Sequence, residues 1–209
     1  MDELFIAELR ERLFAHFVAG CWRVPLAQRH LVVGGFSGAL GQIVCAGAGD
    51  IARARAAERG ESAAPDALWR ALEARAEGFT HLRAHEGWPD DHLMRRALPV
   101  LPPVAGAHGW VLLSGAGCAL RDLAALLIAG ACGGGMIWKP APAAAASAHL
   151  MMDAIGPLAG GRLAMVQGDH ATGALLAEGA ALLWASPAPP PADLPAPVFS
   201  LRTISADRR

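Results

Sequence analysis

Residues 109–140, GWVLLSGAGCALRDLAALLIAGACGGGMIWKP, contain an apolar run, a Gly-rich turn, a helix-length apolar segment, a triple-glycine break and a short apolar run closed by Lys-Pro. That order predicts a strand, a crossover helix and a parallel strand, the unit that places nucleotide sites at the carboxyl ends of strands. Lys139 is the single lysine among 18 lysines and arginines. A compact ammonium on a flexible stem suits a ribose hydroxyl or a phosphate better than a planar guanidinium does. The alternative reading is a surface lysine after a strand.

Upstream of this unit, residues 2–18 space Leu4, Phe5, Leu9, Leu13, Phe14 and Phe17 as an amphipathic helix ended by Gly20. Short apolar runs among Gly34, Gly35, Gly38 and Gly41 predict hairpin strands between Cys21 and Cys45. Asp50 and Asp66 are placed to cap helices running to Arg59 and His85. Trp88-Pro89-Asp90 breaks the second, a short helix is expected over 90–97, and three prolines connect to the central unit. Downstream, the pattern predicts a helix to Ile155, a strand over 163–166, a turn GDHATG and a helix over 173–178. A strand over 182–184, an irregular Pro-dense run and a final edge strand over 198–204 complete it. The fold class is α/β, a Rossmann-like open parallel sheet with flanking helices plus a small β-hairpin flap. Its expected parts are a helix over 1–18, a nucleotide-type domain over 19–187 and a Pro-rich linker with an edge strand over 188–209.

The totals exclude several classes. A net charge of -1 over 209 residues supplies no field for nucleic acid. The longest apolar run, 123–138, is shorter than a membrane helix and is broken by glycines, and no secretory signal opens the sequence. Cys21, Cys45, Cys118 and Cys132 lack paired spacing, which predicts reduced thiols in a cytoplasmic protein. The chain has no Asn and no Tyr, so mechanisms needing either side chain are excluded.

In this order the elements resemble the cofactor-binding half of the aldehyde dehydrogenase superfamily over residues 17–187. FVAGCW at 17–22 resembles the family's "IGGxW" strand, and Ser37-Gly38 with Asp50-Ile51 resembles its "TG…DV" hairpin and helix. The central unit resembles "PWNFP…GNxxxxKPxE", and VQGDHATG at 166–173 is similar to "VxGxGxTG". The resemblance implies a nicotinamide cofactor against this domain, with Lys139 at the adenosine ribose; Ser114, Gly168, Thr172 and Gly173 are the other cofactor positions it implies.

Departures from the pattern decide the functional expectation. The family's oxyanion-hole asparagine falls on Ala116, a donor worth about 3 kcal/mol in comparable sites. Its ribose-binding glutamate falls on Pro142, and its "FTGS" on WASP at 184–187. The sequence stops where the family's catalytic domain would begin. LRTISA at 201–206 resembles the terminal strand of the degenerate aldehyde-dehydrogenase-like module of long bifunctional proline utilization proteins, and a similar module is appended to two-module aldehyde dehydrogenases. The expectation is therefore a non-catalytic domain without cofactor, acting structurally through homo-oligomerisation or on a full-length dehydrogenase. The alternative is a module that still holds NAD through Lys139 and the Gly168 turn. Three further patterns carry bland readings. Cys45, in a shifted "GQxC", reads as a packed hairpin cysteine, His81 and His85 as a solvated helix face, and Asp169-His170 as turn residues rather than an acid/base pair.

Overall fold

The computed structural model describes residues 13–35, 38–103, 109–194 and 198–200. Strands β1 (His16–Val18) and β2 (Cys21–Arg23) form one hairpin, and β3 (His30–Gly35) and β4 (Gly38–Val44) a second. Helices α1 (Ala48–Arg55), α2 (Pro65–Glu73) and α3 (Ala76–His85) follow. The central unit is β5 (Trp110–Ser114), α4 (Leu120–Cys132) and β6 (Met136–Pro140), continued by α5 (Ala145–Ile155), β7 (Leu163–Met165), α6 (His170–Ala177), β8 (Ala181–Ala185) and β9 (Val198–Ser200).

Among the described residues, seven strands make one sheet in the order β2-β1-β7-β6-β5-β8-β9, and β3 and β4 stand apart as a two-stranded sheet. Strands β7, β6, β5, β8 and β9 are parallel, and the β1–β2 hairpin is added antiparallel along β7. The chain runs from β5 outward to β7, returns through α6 to β8 and so reverses direction, which sets the switch-point crevice between β5 and β8.

Alternation along the buried strands gives each face its own core. Leu112, Met136, Trp138, Leu163 and Met165 point to one side, where α2, α3, α4 and α5 cover them. Val111, Leu113, Ile137, Ala164 and Val166 point to the other, under α1 and α6. Trp138 lies within the first core at 1% exposure, and its indole N–H donates to Ser114 Oγ at 2.9 Å. Gly130 is the close-packing point of α4 on β6, where a Cβ would come within 2.9 Å of the Met136 side chain.

Several expectations are corrected. Residues 16–18 are a strand rather than the end of a helix. Ala19 and Gly20 both take positive φ (54° and 77°), which makes a two-residue hairpin turn matched to strand twist. Residues 2–12 of that expected helix lie outside the described residues. The helix expected from Asp66 starts at Pro65 and is two helices, α2 and α3, meeting at Ala74 and Arg75. Asp50 sits at the third position of α1, not at its cap, and α1 ends at Arg55 rather than Arg59. Residues 90–97 form no helix. The GDHATG turn is largely the first turn of α6, capped by Asp169. The final strand is observed over Val198–Ser200, parallel to β8, and LRTISA lies outside the described residues.

Candidate functional site

The carboxyl edge of the parallel strands gathers the amino termini of α1, α4, α5 and α6, each with unpaired N–H groups and a partial positive charge that attracts anions. Ala119 and Ala144, the residues before α4 and α5, have no side chain able to cap. Both helices are capped from a distance, by carboxylates of one short segment. Asp91 accepts from Leu120 N at 3.1 and 3.2 Å. Glu86 accepts from Ser147 N at 2.8 Å and from Ser147 Oγ at 2.7 Å. Arg83 clamps the two, with Nη1 3.0 Å from Glu86 Oε2 and Nε 2.9 Å from Asp91 Oδ2.

Arg83 also donates to Ala116 O at 3.0 Å, and its guanidinium lies 5.7 Å from the centre of the Trp88 ring. The carbonyl at the position expected to carry an oxyanion donor is thus a buried arginine's acceptor. Trp88 lies against Gly117, where a Cβ would fall 2.9 Å from the ring. A cleft of about 460 Å³ opens beside it, lined by Trp88, Asp91, Met94, Gly117 and Arg121 among others. Arg83 is 1% exposed and the Glu86 side chain fully buried. Burial pushes the Glu86 carboxyl above its ordinary range, against the opposing pull of Ser147 and Arg83. Its three partners are all donors, the arrangement of an ionised carboxylate. Burial likewise pushes the neighbouring Cys118 thiol up to about 12, away from nucleophilic use at neutral pH.

On the other face, α6 is capped by Asp169, which accepts from Thr172 N at 3.2 Å and forms a two-pronged ion pair with Arg29. The Arg29 hydrogen bond is the main cause holding the Asp169 carboxyl well below the usual range. At α1, Asp50 accepts from Leu26 N (2.8 Å), Ala27 N (3.1 Å), Gly47 N (3.3 Å) and Arg53 (2.9 Å). Burial alone would raise the Asp50 pKa, but the backbone N–H donors of Leu26, Gly47 and Ala27 bring it below normal. All four amino termini therefore meet a carboxylate of the chain itself. Replacing Asp169 by Ala removes a cap and an ion pair at once. A loss of about 1 kcal/mol in urea unfolding is expected, most of it from the cap because the pair is partly solvated.

The expected cofactor positions fall into three places. Ser114 lies on the Trp138 face and is engaged by that indole. Lys139 lies on the opposite face, 8% exposed, its stem 3.6 Å from the Cβ position of Gly173 and its ammonium donating to Pro140 O at 3.3 Å. Burial pulls the Lys139 pKa down to about 8, with Asp169 and Cys45 acting in the opposite direction. Gly168 is filled by Thr172, whose hydroxyl donates to Ala46 O at 3.2 Å. Lys139 and Gly173 are brought together, as are Gly168 and Thr172, while Ser114 is separated from them by the sheet.

Pro142 opens a 3-10 turn before α5. Residues 184–187 close β8: Trp184 Nε1 donates to Ala188 O at 2.7 Å, and Ser186 Oγ accepts from Ala188 N at 3.2 Å. No helix occurs over residues 186–194. Cys45 is buried at the end of the second hairpin. His81 faces Glu77 at 3.6 Å, and no group of three metal-ligating side chains occurs among the described residues. His170 pairs with Asp193 at 2.9 Å rather than with Asp169. No helix among the described residues is long and apolar enough to cross a membrane.

The Arg83–Glu86–Asp91 cluster was not singled out in the sequence. Its available signal was two helix starts without caps, at Ala119 and Ala144, together with unassigned acids at 86–91.

The sequence matches no family model and no curated protein. Its fold is that of aldehyde dehydrogenases. An NAD+ complex of the Bacillus cereus aldehyde dehydrogenase superposes with a TM-score of 0.63 at 14% identity, over 88% of this chain and 48% of that one. A Pseudomonas syringae aldehyde dehydrogenase bound to NAD+ and octanal gives 0.61 at 15% identity, over 83% and 45%. The Δ1-pyrroline-5-carboxylate dehydrogenase of Mycobacterium tuberculosis gives 0.59 at 16%, over 86% and 43%. The chain spans less than half the length of these structures, and its fold is the Rossmann-like α/β type expected from residues 109–140.

Proposed function

We propose that this chain is a non-catalytic aldehyde-dehydrogenase-like domain serving as a structural, oligomerisation or regulatory subunit of a dehydrogenase. The observation that carries this reading is the occupation of the anion-attracting helix ends by the chain's own carboxylates: Asp91 on α4, Glu86 on α5, Asp169 on α6 and Asp50 within α1. A dinucleotide brings two phosphates to such an edge, and each carboxylate there would repel them. Ser114 and Thr172 are likewise engaged internally, and Ala116 offers no side-chain donor to an oxyanion. Among the described residues β2 and β9 are the sheet's two edge strands, and an edge accepts a strand from a partner. Light scattering and affinity capture from the source cell test the reading. Self-association, or recovery of an aldehyde dehydrogenase, agrees with it; a strict monomer that retains no dehydrogenase contradicts it.

A second reading, an NAD or adenine-nucleotide module, rests on Lys139. Its ammonium has three donors and, among the described residues, makes a single hydrogen bond, to its own neighbour Pro140. Under that reading Lys139 with Gly168, Thr172 and Gly173 would hold the ribose end of the nucleotide.

A further inference from the structure

Phe17 of the β1–β2 hairpin is buried in the main core, but the hairpin's ladder with β7 is short, and the acceptor of one hydrogen bond beside that ladder can take a proton. The strand pairing with β7 is the single register Phe17↔Met165. Beside it His16, fully buried, accepts at Nδ1 from Gln167 N at 3.2 Å. The neutral ring must then carry its hydrogen on Nε2, which has no hydrogen-bond partner among the described residues and lies 3.9 Å from Asp50 Oδ2. Gln167 Nε2 donates back to Leu13 O and, at 2.7 Å, to Ala15 O, so residues 13–16 and the end of β7 grip each other through His16 and Gln167.

We infer that His16 is a proton-operated release for this hairpin: a proton on Nδ1 removes the acceptor for Gln167 N–H, sets two donors face to face and frees β1 from β7. The groups around the ring oppose one another. Asp50 favours the charged imidazole, and Arg53, next along α1, disfavours it. Asp50 is already held by three backbone N–H groups and Arg53, so it cannot follow the ring without uncapping α1. On the far side of the hairpin, His149 of α5 stacks on Trp22 at 3.7 Å, a second titratable ring against the same element.

The sign follows from burial, which lowers the His16 pKa to about 4 from 6.5. An opened hairpin exposes a histidine of ordinary pKa that binds a proton below pH 6.5, whereas the closed one does so only near pH 4. Opening is therefore favoured as pH falls through that window, by a factor on the order of 10² at pH 4.5 relative to pH 7.

Hydrogen exchange read by mass spectrometry on the full chain, corrected for intrinsic rates, tests this. Protection of residues 13–23 should fall by that factor between pH 7 and 4.5, while β5 and β6 keep theirs. In His16→Asn, whose side-chain oxygen can accept from Gln167 N–H and does not titrate, the fall should vanish even though His149 remains. Unchanged protection in the wild type, an equal fall in the variant, or simultaneous loss across the sheet would each overturn the inference. Should the variant fail to fold, the ring NMR titration of the wild type decides: a His16 pKa near 4 with the proton on Nε2 supports it, and one above 6 refutes it.

Discussion

Arg83→Met is expected to cost about 3–5 kcal/mol in urea unfolding at pH 7, the range for removing one partner of a buried ion pair. Arg83 is 1% exposed and binds Glu86, Asp91, Ala116 O and Cys118 O, so its loss leaves one fully buried carboxylate and one largely buried one without their counter-ion. Methionine keeps most of the volume, which separates loss of charge from loss of packing. The penalty also carries a pH signature. Burial already raises the Glu86 carboxyl above its ordinary range, and removing Arg83 raises it further. Folded variant then binds a proton more readily than unfolded variant, so the penalty relative to wild type should shrink as pH falls from 7 toward the ordinary carboxylate range. A penalty under 1 kcal/mol, or one that grows on acidification, would show that Arg83 is not the clamp of α4 and α5.

Trp138→Ala is expected to cost a similar 3–5 kcal/mol through a cavity in the middle of the sheet's larger core. The indole lies on central strand β6 among Leu112, Met165 and the α4–α5 layer, and its N–H is the partner of Ser114 Oγ. Trp138→Phe retains much of the ring, and a smaller cost of about 1–2 kcal/mol is expected for the lost hydrogen bond and residual void. Because domains are stable by only about 5–15 kcal/mol, the alanine variant should show a strongly lowered urea midpoint with an unchanged slope. Equal costs for the two variants would mean that the core relaxes around the site.

The central unit was legible because its signals are local. Residues 110–114, 120–132 and 136–140 are two short apolar runs and one long one separated by glycines, and each became the element its length implied. The missed features are set over long sequence separations. Phe17 continues a helical apolar spacing, yet pairing with Met165, 148 residues away in sequence, makes 16–18 a strand. No Gly or Pro marks the division between α2 and α3 at Ala74-Arg75; α2 packs on α4 and α5 while α3 packs on α5, and that division of contacts sets the break. The caps on α4 and α5 come from 29 and 61 residues away.

The candidate site shows the same division. Lys139 was conspicuous as the lone lysine, and the structure places its stem against Gly173. What no local pattern revealed is that Ser114 projects from the other side of the sheet, or that Arg83 ties the Ala116 carbonyl inward. A Rossmann-like fold is thus readable from the backbone plan. Whether the edge can accept phosphate depends on carboxylates supplied from elsewhere in the chain.

Calorimetric titration of NAD into the wild-type protein and Lys139→Ala tests the central claim most directly. The predicted result is no saturable heat with either protein up to millimolar NAD. Saturable binding below about 100 μM in the wild type, lost in Lys139→Ala, would contradict the claim and establish the nucleotide-binding reading in its place.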